Sequence, residues 1–237
     1  MIHIFMGPFG SGKTEIAINY AIRLRNESRV VHLVDLDLIT PYFRSRDAVR
    51  VLKKMGINVL IPPEEIMYAD LPLFPRQLGT VFKEDSADVV VDLGGDDDGA
   101  RILRSLNDRL RGVAKSVYFV INTRRPFYQT PGEIAEYVKN LSNRADVIVD
   151  FLVNNTNLGP YTNDYIVREG EKVMAKASEI LGIPIIWTVL WKGLTKQIKT
   201  NFPVFYIERF MRLPWEEKGG GVDGKSGGVC RDRYGTV

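Results

Sequence analysis

The sequence predicts an open α/β fold, in which a mostly parallel central sheet of about seven strands is flanked by helices on both faces. Short apolar runs rich in β-branched residues recur along the 237 residues, and segments of helical periodicity separate them. The chain is also 45% hydrophobic and 26% charged, which suits one domain with a sizeable core. Strands that alternate with helices over this length are typical of a parallel sheet.

Seven strands and five helices follow from this alternation. The predicted strands are Ile2–Met6, Val30–Asp35, Ile57–Ile61, Asp88–Leu93, Ser116–Ile121, Val147–Val153 and Ile185–Leu190. The predicted helices are Lys13–Asn26, Ser45–Lys54, Gly99–Arg111, Pro131–Leu141 and Asp164–Leu181. Capping signals support two of them, since Thr130 precedes Pro131 and Gly182 follows Leu181. Ligands in such folds bind at the carboxyl ends of the strands, so functional residues are expected in the loops there.

Two segments interrupt the alternation. Residues 61–79 contain four prolines and are predicted to form an irregular excursion, either a packed connection or a lid over a partner or substrate. Residues 216–237 are rich in Gly, Ser and charge, and are expected to be a disordered tail. Residues 1–215 are therefore predicted to be the folded domain.

The composition argues against several classes of protein. A net charge of +3 is too small to indicate a dedicated nucleic-acid binder. The single cysteine, Cys230, cannot form an internal disulfide, which favours a cytoplasmic location. The first residues lack the features of a signal peptide, and no window approaches the ~20 apolar residues that cross a bilayer. The sequence thus carries no strong signal for nucleic acid or membrane.

A glycine-rich loop between the first strand and the first helix carries the strongest functional signal. Residues 7–14 read G-P-F-G-S-G-K-T and fit the phosphate-loop pattern G-x-x-x-x-G-K-[ST] in its required context. Glycines let backbone N–H groups turn toward phosphate oxygens, and the helix N-terminus adds favourable charge. Lys13 is expected to reach the β- and γ-phosphates, and the Thr14 hydroxyl to bind Mg²⁺. The predicted nucleotide contacts in this loop are Gly7, Phe9, Gly10, Ser11, Gly12, Lys13 and Thr14.

Two later strand ends supply the carboxylates that nucleotide hydrolysis needs. The strand that ends in Asp92 is an apolar run of the Walker B type, which predicts that Asp92 lies beside Mg²⁺. Gly94 and Gly95 follow it and could approach the γ-phosphate. Asp35 and Asp37 alternate along the second strand, so both could converge on a metal-bound water. The predicted metal ligands are Thr14, Asp37 and Asp92, whereas Asp96 to Asp98 are expected to cap a helix.

Together these motifs resemble the MinD/ParA/Mrp branch of P-loop ATPases, which includes the CobQ/CobB-type nucleotide-binding domains. The resemblance covers roughly residues 1–191. It implies ATP and Mg²⁺ as ligands, Asp37 as the residue that positions the hydrolytic water, and Asp92 as the Walker B residue. It also implies that an Asn at a strand end reads adenine, for which Asn154 is the better match and Asn155 the neighbour. No N-K-x-D guanine motif is visible, so ATP is favoured over GTP.

The loop departs from this family at one position. The MinD/ParA group carries a signature lysine that reaches the nucleotide of a dimer partner, but this chain has Pro8 there. Arg44 and Arg46 are candidate substitutes for stabilising transition-state charge, with surface solvation as the alternative. The basic and aromatic run Thr123–Tyr128 is a candidate contact for a partner, a second substrate or nucleic acid, or else an ordinary packed loop.

Three functions are compatible with these motifs. The leading interpretation is a Mg²⁺-dependent ATPase that switches loops near Asp37 and Gly94 and thereby controls a protein partner. The alternatives are an ATP-binding regulatory module with little hydrolysis, and an ATP-dependent ligase or transferase of the CobQ or dethiobiotin synthetase type. The sequence identifies no partner, and a homodimer is compatible with it.

Overall fold

A parallel eight-stranded sheet forms the centre of the protein. The computed structural model describes residues 1–27, 29–37, 46–61, 76–82, 84, 86–107, 110–194 and 198–210. The strands are β1 (Ile2–Met6), β2 (Val30–Leu36), β3 (Asn58–Leu60), β4 (Ala87–Leu93), β5 (Lys115–Ile121), β6 (Phe151–Asn154), β7 (Ile185–Trp191) and β8 (Val204–Ile207). Their order across the sheet is β3-β2-β4-β1-β5-β6-β7-β8, and every neighbouring pair is parallel. The strand before the glycine loop, β1, therefore lies between β4 and β5.

Helices cover both faces of this sheet, which confirms the predicted fold class. They are α1 (Lys13–Asn26), α2 (Arg46–Lys54), α3 (Arg76–Val81), α4 (Asp97–Leu106), α5 (Pro131–Ala145) and α6 (Asp164–Leu181), with a 3₁₀ turn at Gly159–Tyr161. Side chains alternate along β1, so Ile4 and Phe5 enter two different clusters of the core. The cluster around Phe5 includes residues of α1, and the cluster around Ile4 includes residues of α4, α5 and α6.

The central strands are buried along their whole length. All residues of β1 and β4 are buried, as expected for strands of a parallel sheet that is covered on both faces. On the α1 side, aromatic rings fill the space beneath the helix, and Tyr118 stacks on both Phe5 and Trp187. This packing fixes α1, and with it the loop that joins α1 to β1.

The predicted helix caps are present. The side chains of Thr130 and Glu133 form a reciprocal capping box at the start of α5. Gly182 ends α6 in the left-handed conformation, with φ of 68°. The carboxylate of Asp96 accepts a hydrogen bond from the Gly99 N–H at 2.9 Å, which confirms its predicted capping role at α4.

Two strands differ from the sequence prediction. β6 begins at Phe151 rather than Val147, because Asp146 leaves α5 in the left-handed conformation and Ile148 is 83% exposed. Asp150 then joins β5 through its side chain, which accepts from the Val117 N–H at 2.7 Å. The edge strand β8 was not predicted, because four residues after a stretch without helical periodicity give too weak a pattern.

Several predictions fall on residues outside the described part of the chain. These are most of the excursion, at residues 62–75, and the whole tail, at residues 216–237, together with residues 211–215 at the end of the predicted domain. The final part of the excursion forms α3. None of the helices in the described residues is long and apolar enough to span a bilayer.

Candidate functional site

The glycine loop has the backbone conformation that its sequence predicts. Gly7, Gly10 and Gly12 have φ values of 143°, 71° and 89°, which residues other than glycine rarely adopt. The N–H of Ser11 donates to the carbonyl of Pro8 at 3.2 Å and closes the turn. α1 begins directly after its N-cap residue, Gly12, which makes no side-chain capping bond to the helix. Its first N–H groups are therefore available to an anion.

Two polar side chains of the loop, those of Ser11 and Lys13, are buried with few hydrogen-bond partners among the described residues. Ser11 is fully buried, and its hydroxyl has no hydrogen-bond partner among the described residues. Lys13 is 5% exposed, and its Nζ donates to the carbonyl of Pro8 at 3.2 Å. Burial lowers the pKa of the Lys13 ammonium below its usual value, and the nearby carboxylates oppose this only in part. A phosphate group would satisfy both side chains.

Carboxylates from β2 and β4 lie beside this loop. Asp35 and Asp92 are opposite each other on the two neighbouring strands, so their side chains leave the sheet on the same side. The Thr14 hydroxyl hydrogen-bonds to Asp92, whose Oδ1 is buried without a partner among the described residues. The N–H of Asp37 donates to Asp35 Oδ1 at 3.0 Å. Strand pairing thus brings together residues that are far apart in sequence.

The environment of Asp92 favours its protonated form. Burial, followed by the negative charge of Asp35, raises the pKa of Asp92 to about 7, although Lys13 and the hydrogen bond from Thr14 oppose this. A divalent cation at Asp92 would reverse the balance and favour the carboxylate. Thr14 and Asp92 offer the oxygen ligands that Mg²⁺ prefers.

The predicted metal ligands receive uneven support. Thr14 and Asp92 are in contact, as a shared Mg²⁺ would require. Among the described residues, no three His, Cys, Asp or Glu side chains form a ready-made metal cluster. A bound Mg²⁺ would therefore take its other ligands from phosphate and water, as is usual for this ion. Asp37 as a metal ligand stays a prediction.

Changing Asp92 to Asn should stabilise the ligand-free protein as the pH rises, although it removes a predicted Mg²⁺ ligand. The folded protein holds the Asp92 proton up to about pH 7, whereas the unfolded chain releases it near the ordinary carboxyl pKa of 3.8, so the stability that this group contributes falls as the pH rises between these values. Without Mg²⁺ and nucleotide, we expect D92N to gain roughly 2–4 kcal/mol over the unaltered protein on going from pH 4 to pH 8. Denaturant unfolding of both proteins at each pH measures this, and parallel pH profiles would contradict it.

Gly95 packs directly against the phosphate loop. A Cβ at this position would lie 2.5 Å from the carbonyl oxygen of Gly7 and 2.7 Å from the nitrogen of Phe9, so only glycine permits the contact. On the other side, the Tyr137 hydroxyl of α5 donates to the Gly95 carbonyl at 2.6 Å. Gly94, the predicted nucleotide contact, lies next to the Asp37 carboxylate. The end of β4 therefore contacts both the phosphate loop and α5, and α5 packs on the face of the sheet opposite α1.

The two asparagines at the end of β6 have different surroundings. Asn154 is fully buried, and its amide donates to the Thr188 hydroxyl at 3.3 Å and accepts from the Thr156 hydroxyl at 2.7 Å. Because Asn154 is fully buried, a base could reach its remaining N–H only if the surrounding packing opened, and its role in reading adenine stays a prediction. Asn155 instead donates to the carbonyl of Ser11 at 2.6 Å.

Asn155 thereby orients part of the phosphate loop. The C=O and N–H of a trans peptide point in opposite directions, so the bond to the Ser11 carbonyl turns the N–H of Gly12 away from Asn155. Sequence reasoning placed Asn155 at the base rather than at the loop. No local signal indicates this contact, which joins residues 144 positions apart.

Arg125 reaches the loop from the segment after β5. Its Nε donates to the carbonyl of Gly10 at 3.0 Å. The sequence left the run Thr123–Tyr128 as a candidate contact for a partner, a second substrate or nucleic acid, or as an ordinary packed loop. In the structure β5 is a neighbour of β1, so the loops that follow these two strands lie side by side. Phe9 at the tip of the loop is 68% exposed. Arg44 and the side chain of Arg46 lie outside the described residues.

The parallel sheet, the glycine loop and the following helix define the P-loop NTPase fold. Solved structures with this fold are similar to the chain: chloroplast FtsY from Physcomitrella patens has a TM-score of 0.55 and 14% identity, covering 78% of this chain and 56% of that one. FtsY from Elizabethkingia anophelis in complex with GDP has a TM-score of 0.51 and 16% identity, covering 78% and 55%. The chain thus spans just over half the length of these proteins.

These similarities establish the fold. They do not single out the MinD/ParA branch that the motifs resemble, because the two structures compared above are FtsY proteins. No family model matches the sequence. A search of curated proteins also finds no match.

Proposed function

We propose that this chain binds ATP together with Mg²⁺ in the phosphate loop, hydrolyses it, and acts as a nucleotide-dependent switch for a protein partner. One observation carries the proposal: Ser11 Oγ and Asp92 Oδ1 are buried at the loop without hydrogen-bond partners among the described residues. A purely structural cluster would be expected to satisfy such atoms internally. A phosphate and a metal ion would satisfy them.

Each residue of the site would have a role that follows from its position. Lys13 and the N–H groups at the start of α1 neutralise phosphate charge. Thr14 and Asp92 hold Mg²⁺, which supplies further charge neutralisation when bound. Asp37 follows β2 and lies beside Gly94, and we expect it to orient the attacking water.

The contact between Gly95 and the loop supports the switch. A terminal phosphate in the loop would lie close to the backbone of Gly7 to Phe9, against which Gly95 packs. Tyr137 and Asp96 connect this point to α5 and α4. Any shift of the loop that gain or loss of the phosphate requires would therefore be transmitted to two helices.

A second candidate function is an ATP-binding regulatory module with little hydrolysis. Pro8 favours it, because the loop lacks the lysine that the resembled family uses in turnover. The third interpretation, a ligase or transferase, would need a substrate site, and the excursion considered for it lies mostly outside the described residues.

Phosphate release and direct binding test the proposal together. The unaltered protein should release phosphate from ATP only with Mg²⁺, and Asp37→Ala should still bind ATP while turnover falls about 10²–10⁴-fold. Asp98→Ala is the matched control, since Asp98 is exposed and pairs with Arg101 on α4. Tight binding without turnover in the unaltered protein would favour the regulatory module, and no ATP binding at all would overturn both.

The same titration with GTP tests the base. The chain lacks the N-K-x-D motif, and residues 154–157 (N-N-T-N) contain neither its lysine nor its acid. The FtsY structure with GDP is too distant in sequence to transfer its base preference. We therefore expect tighter binding of ATP, and tighter binding of GTP would contradict this part of the proposal.

A further inference from the structure

Arg125 occupies an unusual position for an exposed arginine. Its guanidinium lies against the phosphate loop, with Nε donating to the Gly10 carbonyl and its atoms 3.2–3.5 Å from where a Cβ of Gly10 would be. A Cβ at Gly10 would crowd this guanidinium, and the positive φ of Gly10 also favours glycine. A guanidinium carries five N–H donors, and the described hydrogen bond uses one of them.

Hydrogen bonds to Asn122 hold the backbone around Arg125 in place. The Arg125 N–H donates to the carbonyl of buried Asn122 at 3.1 Å, and the Asn122 side chain accepts from the N–H groups of Arg124 and Asn157. Two residues later, Phe127 has a φ of 69°, a conformation that is uncommon outside glycine. The backbone of this turn places Arg125 beside the loop, where its side chain bonds to the Gly10 carbonyl.

The phosphate loop needs positive charge beyond what its own residues supply. Lys13 is the one cation within the loop, since Pro8 stands where the resembled family has a lysine. A nucleoside triphosphate with one Mg²⁺ still carries excess negative charge. Within the described residues, Arg125 is the cation besides Lys13 that hydrogen-bonds to this loop.

We propose that Arg125 is a second cation of the phosphate site, supplied by the same chain, and that its guanidinium binds the phosphates of the nucleotide from the Gly10 side of the loop. This inference rests on the proposed nucleotide binding. Arginine suits the role because its planar fork can bond a loop carbonyl and a phosphate oxygen at once. The site would then need no lysine from a second copy for this charge.

Nucleotide titrations with three variants test the role of Arg125. We expect Arg125→Ala to weaken ATP binding about tenfold or more, as for loss of a charge-assisted hydrogen bond, and to weaken ADP binding less, because ADP carries less charge. Arg125→Lys should recover part of the loss, and the difference between Arg125→Ala and the unaltered protein should shrink at high ionic strength. Arg104→Ala is the matched control, because Arg104 is exposed on the last turn of α4.

The outcomes separate this inference from the proposed function. If Arg125→Ala binds ATP as the unaltered protein does, or loses ATP and ADP equally with no rescue by lysine and no salt dependence, the phosphate role of Arg125 is wrong while nucleotide binding stands. If the unaltered protein binds neither nucleotide, the proposed function fails, and this inference fails with it. Thermal unfolding of each variant shows whether a loss of binding reflects a loss of folding.

Discussion

Replacing Lys13 with alanine is expected to weaken ATP binding about 100-fold or more while leaving the protein folded. Lys13 is the buried cation of the phosphate loop, and truncating one partner of a buried charge pair between two binding partners costs about 2–5 kcal/mol of binding free energy, where each 1.4 kcal/mol is a tenfold change in affinity. Equilibrium titration with ATP and Mg²⁺ measures the effect. Phosphate release should fall with it.

The stability of this variant separates a binding role from a structural one. Burial already disfavours the charged form of Lys13 in the ligand-free protein, so its removal relieves a cost as well as losing a contact. We expect the melting temperature of Lys13→Ala to stay close to that of the unaltered protein. Lys139→Ala, on the exposed surface of α5, should change neither property. Unchanged ATP affinity in Lys13→Ala would remove the basis for the proposed site.

Local sequence patterns predicted the parts of the fold that depend on local interactions. The run Ile2–Met6, the glycine loop and α1 follow one another directly, so apolar periodicity and glycine spacing identify them without knowledge of the rest. The caps at Thr130 and Gly182 are local in the same sense. β8 depends on its pairing with β7, which four residues of sequence cannot reveal.

The functional site likewise contains contacts that local sequence patterns predict and contacts that they do not. The loop contacts of Lys13 and Thr14 are within one motif, and the carboxyl-end rule placed Asp92 near them. Arg125 and Asn155 reach the loop across 115 and 144 residues, through the neighbouring strand β5 and the next one, β6. Their positions depend on strand order, which the alternation of strands and helices leaves open.

Asn154 illustrates a further limit of motif reasoning. A residue at a strand end can face the site or the interior, and the choice depends on its neighbours. Thr188 on β7 and Thr156 in the following turn both hydrogen-bond to Asn154, so its amide is used inside the protein. The sequence contains all three residues but gives no indication that they meet.

Changing Gly95 to alanine is expected to have a large effect for a single added methyl group. The new Cβ would meet three backbone atoms of the phosphate loop, belonging to Gly7, Pro8 and Phe9, at 2.5–2.8 Å. No flexible side chain can move aside, so the end of β4 and the loop must separate. We expect a loss of about 1–3 kcal/mol in stability and phosphate release about 100-fold slower, because the loop and the Mg²⁺ ligands lose their relative placement.

Gly132→Ala is the matched control, because a Cβ in the first turn of α5 meets nothing within 4 Å. Thermal unfolding and phosphate release of the two variants, measured side by side, isolate the contact from the general effect of replacing glycine. If Gly95→Ala has the same melting temperature and rate of phosphate release as the control, then the end of β4 and the loop are not in close contact in solution. The switch would then need another route to α4 and α5. If it loses turnover but keeps ATP binding, the same contact that positions the loop also couples it to those helices.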